Sequence, residues 1–336
     1  MAARLGTDHT SIRCTRAAIA AEFPRTILHS EIPIVRTAPT PLMMLSGHVR
    51  EAGFKVVLTG EGADEVFGGY DLFKEAKVRR FWARNPASTL RPRILERLYP
   101  YLKTSPVRGG AMAQAFFRDG MGSETEPWFA HLPRWNSTGR IRSFFSAELR
   151  SAVGDWNATA AISLSLPEGI RDWPALGRDQ YMEAHTLMSG YLLSSQGDRV
   201  AMANSIEGRV PFLDHHVIEF ANRLPSHLKI RGLREKYLLR KAFADLLPAQ
   251  IATRTKQPYR APDSQSFFVE GRPVEYVADL FSEGSLRAAG LFDPAAAGRL
   301  FEKCRSGRAI GFADNMAFVY ILSTMLLHQQ FIARPA

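Results

Sequence analysis

The sequence predicts an α/β protein, with a parallel-sheet layer in its first part and a helical C-terminal half. Three observations carry that prediction. The stretch Lys55–Tyr70 opens with a short apolar run, Val56–Leu58, that reads as a buried strand, then turns through Gly60 and Gly62 into an acidic helix start. Helical periodicity governs Leu176 to about Asn204, with Leu187, Tyr191, Leu192 and Val200 as the expected buried face. The longest apolar run, Met316–Leu327, contains Ser323 and Thr324 and is too short to span a bilayer. Runs of roughly 10–14 residues are more often buried core helices.

Taken in order, Met1–His9 lacks the apolar stretch of a signal peptide. Arg16–Glu22 reads as helix and Ile32–Val35 as a short strand. Pro41 opens a helix running to about Gly53, since proline is favoured at the first helical position. A helical pattern begins at Asp71 and is interrupted at Pro86, Pro92, Pro100 and Pro106, and Gly109–Asp172 reads as loops and short helices. Pro211 ends the long helical stretch, because a helix interior does not tolerate its ring. His215–Leu224 resumes helix, and Leu233–Leu247 forms another, ended by Pro248. No linker divides the chain, so residues 1–336 read as one domain.

Of the 336 residues, 46% are hydrophobic, enough for a sizeable core, and the formal net charge is +10. That balance suits anionic ligands, nucleic acid or a solvated basic face. The basic residues are scattered, without a continuous run, a zinc-knuckle spacing or a basic–heptad pattern, so neither nucleic acid nor a membrane is an expected partner. Two cysteines, Cys14 and Cys304, cannot build a disulfide framework, and a reduced, cytoplasmic compartment is the expectation.

The chemistry concentrates at the glycine turn. Glycines let backbone approach a phosphate, and N–H groups at a helix start attract anions. Glu61 and Asp64 crowd the same place, which makes sense if one of them holds Mg²⁺ against phosphate oxygens. An acidic turn that merely caps a helix is the alternative on this motif alone. Glu207 and Arg209 flank a proline-terminated turn and suit a partly buried ion pair that fixes it. Lys236 and Arg240, one helical turn apart, could both face an anion, but a solvated face is the expectation.

Further motifs follow in order: Arg4–His9, the long run Arg199–Asp214, Glu235–Phe243 and Arg254–Lys256. Together with Lys55–Tyr70, this series resembles the synthetase domain of glutamine-dependent asparagine synthetase. The resemblance implies an adenine nucleotide alpha-hydrolase-like (ATP pyrophosphatase) sheet and adenylation of the aspartate side chain, or of a similar acid, by ATP and Mg²⁺. Ammonia donated by glutamine would then displace AMP. By motif position, Thr59 and Gly60 correspond to ATP-binding residues and Asp64 to the carboxylate that holds Mg²⁺ on the leaving pyrophosphate. Glu61 corresponds to the acid that takes a proton from the attacking amine, and Lys256 to a lysine beside the transferring phosphate. Arg254 is a weaker match, and the polar stretch after Pro258 suggests a loop that closes over the site. A β-lactam synthetase relative is the rival within enzymes, but it favours tyrosine where Glu61 stands.

Two departures shape the expectation. The family's N-terminal glutaminase domain, with its cysteine after the initiator methionine, has no counterpart, since Ala2 follows Met1. The Ser-Gly-Gly-x-Asp-Ser nucleotide loop, expected before Arg4, is also missing, and with it the first strand and a second Mg²⁺-binding aspartate. The chain therefore reads as an N-terminally truncated domain, inactive or nearly so alone. A gene start placed too far downstream, one half of a split enzyme and a decayed or repurposed non-catalytic scaffold all fit. A complementing N-terminal half or a homodimer is the expected partner.

Overall fold

A computed structural model describes residues 1–102, 111–307 and 311–333, so Pro106 and Gly109 lie outside the described residues. The first expected helix forms as Arg16–Ser30, longer than predicted, with Thr15 Oγ1 accepting from the Ala18 N–H at 3.1 Å as its cap. The next runs Pro39–Glu51, with Pro39 rather than Pro41 at its first position. Between them Ile32–Val35 is irregular, not a strand. Ser323 Oγ accepts from the Ile34 N–H and donates to the Ile34 carbonyl, 3.0 Å each, so a side chain takes the groups a strand partner would need.

The apolar run forms strand β1, Val56–Leu58, which pairs in parallel with β2, Glu207–Arg209, placing Val57 opposite Gly208. Among the described residues these two strands are the whole parallel sheet. The other pairing is a small antiparallel hairpin, Phe268–Val269 with Arg272–Pro273. The expected burial of β1 is overturned: Val56 is 46% and Leu58 78% exposed. Side chains alternate along a strand, so these two share a face, and only Val57 turns inward. Parallel sheets are almost always covered on both faces. Here, among the described residues, one face is bare.

Helix carries the rest. The predicted long helix is continuous but changes winding, from α over Ala175–Glu183 through a π segment, Ala184–Asp198, back to α at Arg199–Met202. Val200 is buried as expected, Tyr191 and Leu192 are half-buried, and Leu187 is exposed. Bonding five residues back widens each turn, so positions chosen by α periodicity drift off the buried face. His215–Arg223 forms beyond the turn at Pro211, capped by Asp214 on the His216 N–H at 2.9 Å. Only Tyr237–Ala242 of the expected Leu233–Leu247 helix forms as α-helix, because Lys236 adopts a left-handed conformation at φ 50°.

The main core surrounds Phe312–Leu327, the apolar helix anticipated near the C-terminus. Phe318, Ile321 and Leu322 are fully buried against Phe23 and Ile27 of the first helix and against Phe267, Phe281 and Phe292. Phe281 stacks on Phe318 with ring centroids 5.0 Å apart. A smaller cluster, Val66, Phe67 and Ala221, seats the helix Ala63–Phe67 on His215–Arg223. No helix among the described residues is long and apolar enough to cross a membrane.

Candidate active site

The β1–β2 ladder aims the glycine turn. The Thr59 N–H donates to the Arg209 carbonyl at 2.9 Å, extending the ladder by a residue, and Gly60 then stands exposed at the strand's carboxyl end. Gly62 is buried at φ +87°, where a Cβ would overlap Leu213. The chain turns directly into the helix Ala63–Phe67, whose first turn holds Asp64 and Glu65. Acidic groups there are favoured by the helix dipole. Gly68, at φ 69°, ends the helix after five residues.

Asp64 is the meeting point. Lys256 Nζ lies 2.7 Å from its Oδ2, across 192 residues of sequence, and Lys236 Nζ lies 3.0 Å from its Oδ1. Two ammonium groups thus share one carboxylate, and the trio keeps a surplus positive charge. Lys256 also sits over the Tyr70 ring, 5.7 Å from its centroid. The Tyr70 hydroxyl donates to Glu65 Oε1 at 2.7 Å. Burial pushes the Glu65 carboxyl above its ordinary range, despite that hydrogen bond, and raises the Tyr70 hydroxyl as well. On the turn itself, Glu61 keeps one buried oxygen, Oε2, without a hydrogen-bond partner.

The structure therefore brings Lys256 to Asp64 and places Thr59, Gly60 and Glu61 on the turn leading to it. Lys236 does not lie on a solvated face, as its spacing from Arg240 suggests. Its left-handed backbone takes it out of the helix and turns it onto Asp64. Glu235 steadies that turn. Lys74 Nζ lies 3.4 Å from one of its oxygens and an Arg240 nitrogen 2.7 Å from the other. Burial pushes the Glu235 carboxyl up, but its backbone hydrogen bond and the Lys74 and Arg240 cations leave it below its usual range. Arg240 faces no anion site. It donates to the carbonyls of Ala252 and Arg254, at 2.7 and 3.0 Å, and fastens the start of the Lys256 segment. The Glu207–Arg209 pair forms at 2.5 Å but stands in solvent rather than partly buried, because it lies on the thin sheet.

The segment after Thr253 has no regular structure up to Asp263 and crosses the molecule as a strap. Lys256 ties it to Asp64, and the Tyr259 hydroxyl donates to the Ala38 carbonyl at 3.1 Å. Asp263 accepts from the Thr37 N–H at 3.1 Å and from Arg36 at 2.8 Å. Tyr70 closes the glycine-turn motif, but the sequence assigns it no role, and Lys236 is expected there on a solvated face.

No group of three His, Cys, Asp or Glu side chains among the described residues gathers to hold a metal. Glu61 and Asp64 offer one or two carboxylates, which is the number Mg²⁺ takes when phosphate oxygens and water complete its octahedron. The donors fit a metal that arrives with a phosphate ligand, not a caged ion.

Fold and site together define an α/β protein in which a glycine turn at the end of a parallel strand lies beside two ammonium groups and their shared carboxylate. The family model for asparagine synthase matches residues 1–329, and the chain belongs to that family. The amidase chyE of Penicillium rubens is 27% identical over 99% of this chain and 50% of its own length. A Mycobacterium tuberculosis protein named provisionally as a glutamine-hydrolysing asparagine synthetase is 30% identical, covering 90% of this chain and 44% of its own. Asparagine synthetase (glutamine-hydrolysing) 1 of Bacillus subtilis is 26% identical over 85% of this chain and 43% of its own. The chain thus spans about half the length of the curated relatives it matches.

Proposed function

We propose that the chain is the synthetase part of an ATP-dependent amide-forming ligase that activates the side chain of aspartate, or a related acid, and transfers it to ammonia. The observation that carries this is Asp64 held between Lys236 and Lys256 beside the glycine turn. An oxygen of the acid attacks the α-phosphorus of ATP and pyrophosphate leaves. Ammonia then adds to the acyl carbon, loses a proton, and AMP departs. The charge that builds on pyrophosphate meets Lys236 and Lys256, which gain a stronger anionic partner than Asp64 alone. Mg²⁺ carried by Asp64 and phosphate oxygens would supply further neutralisation. In this reading Glu61, whose Oε2 is buried without a hydrogen-bond partner, takes the amine's proton. Ammonia would come from glutamine through a glutaminase domain outside this sequence, separate or joined to it, in the cytoplasm.

The sheet has only two strands among the described residues, with β1 at an edge, and this supports a companion reading: a complementing polypeptide adds a strand of the ATP-pyrophosphatase type, with its Ser-Gly-Gly-x-Asp-Ser loop, to that edge. The test is aspartate-dependent exchange of labelled pyrophosphate into ATP, with and without a co-expressed fragment carrying that loop. Exchange with the fragment present is the expected result, and Asp64→Asn should lower it on the order of 100-fold. Silence in both arms from folded protein would sink the synthetase reading. Exchange by the chain alone would sink the companion one.

A further inference from the structure

A lysine lies buried beneath the helix that carries Asp64. Lys229 is 4% exposed, and among the described residues no carboxylate pairs with it. Its Nζ donates to Gln180 Oε1 at 3.0 Å. The amide nitrogen of Gln180 donates in turn to the Val66 carbonyl at 2.9 Å and to the Glu65 carbonyl. Both carbonyls belong to the last turn of Ala63–Phe67, where helical carbonyls lack intrahelical partners. A glutamine amide can present either end. The ammonium group on its oxygen and the two carbonyls on its nitrogen select the same orientation, with the NH₂ turned to the helix. Burial holds the Lys229 ammonium down at about 8, so the arrangement weakens its own charge. A buried cation whose protein contact is a neutral acceptor burdens a fold. Its position behind a five-residue helix supplies a reason for it.

We infer that Lys229 and Gln180 form a positioning clamp that holds the helix Ala63–Phe67 where Asp64 meets Lys236 and Lys256 together. The functional half of this inference rests on the anion-handling reading of Asp64, and the structural half does not. The test compares Lys229→Met and Gln180→Glu with the unaltered chain. It follows hydrogen exchange of residues 61–70, affinity for inorganic pyrophosphate with Mg²⁺, and the thermal midpoint. The carboxylate that Gln180→Glu introduces would satisfy Lys229 but turn no donor to the helix. Each variant should speed exchange in 61–70 about tenfold while the rest of the chain keeps its protection. Pyrophosphate affinity should fall about tenfold in each, with the double variant no worse than either single one. The midpoint of Lys229→Met should hold or rise, since a buried charge is removed. Unchanged exchange in 61–70, multiplying losses, or a lowered midpoint with exchange raised throughout would each overturn the clamp. If the unaltered chain binds no pyrophosphate even with the loop-bearing fragment present, the anion reading fails, and the exchange result alone decides the clamp.

Discussion

Two apolar runs that look alike in the sequence meet opposite fates. Met316–Leu327 becomes the centre of the main core, with Phe318, Ile321 and Leu322 fully buried. Val56–Leu58 becomes a strand with two of its three residues facing solvent. Hydrophobicity states a demand for cover, and the fold must supply the surface. Around Phe318 several distant segments supply it, among them the Arg16–Ser30 helix and Phe267, Phe281 and Phe292. Beside β1, among the described residues, only β2 and one inward face do. The region that holds the molecule together is therefore not the region of the candidate site, which is held chiefly by charge and hydrogen bonds.

The largest effect should come from the packed side. Phe318→Ala removes the ring that stacks on Phe281 and should cost about 3–5 kcal/mol in urea unfolding. A loss below about 1 kcal/mol would break the contrast, since cavities in close-packed interiors are not that cheap. On the charged side, Lys229 sits at about 8 when folded against 10.5 for an ordinary lysine. The unfolded chain then binds that proton more tightly, so its burial penalty is full below pH 8 and fades as pH rises toward 10.5. Relative to Lys229→Met, the unaltered chain should gain about 3 kcal/mol of unfolding free energy between pH 7.5 and 10.5. A flat difference would show that the ammonium is not desolvated in solution. The smallest effect belongs to the bare strand: Leu58→Ser should alter stability by no more than about 0.5 kcal/mol. A loss above about 1.5 kcal/mol would mean that the strand is already covered in solution, by a second copy for instance.

The legible parts of the molecule were those encoded in contiguous residues. The strand–turn–helix from Val56 to Phe67 and the core helix through Phe318 depend on local chemistry and on one dominant period. The α/β class with its parallel sheet was legible too, although the sheet has only two strands among the described residues. Illegible features depend on backbone states or distant partners. Ile32–Val35 had strand composition, but Ser323 claims the Ile34 backbone from 289 residues away. The face of the long helix could not be read because π winding replaces the α period. Lys236 reaches Asp64 through a left-handed residue that no helical spacing anticipates. Lys229 left one signal, a lysine set between Leu228 and Ile230, and that pattern alone names no partner.

Gly69 gives the site an uneven tolerance of genetic change. A Cβ at this position would overlap Asp64 Oδ1 and Lys236 Cε, so the shared carboxylate and one of its cations occupy the space a side chain would need. Asp64 and both lysines can be replaced by residues of similar size that leave the surroundings in place. At Gly69 every missense codon adds an atom where the ion trio sits, and both partners must move aside. Gly69 is thus a position whose replacement disturbs the ion trio although it has no functional group to lose. Drift there would dismantle the charge arrangement while the distant core around Phe318 stayed intact, leaving a folded protein without its site.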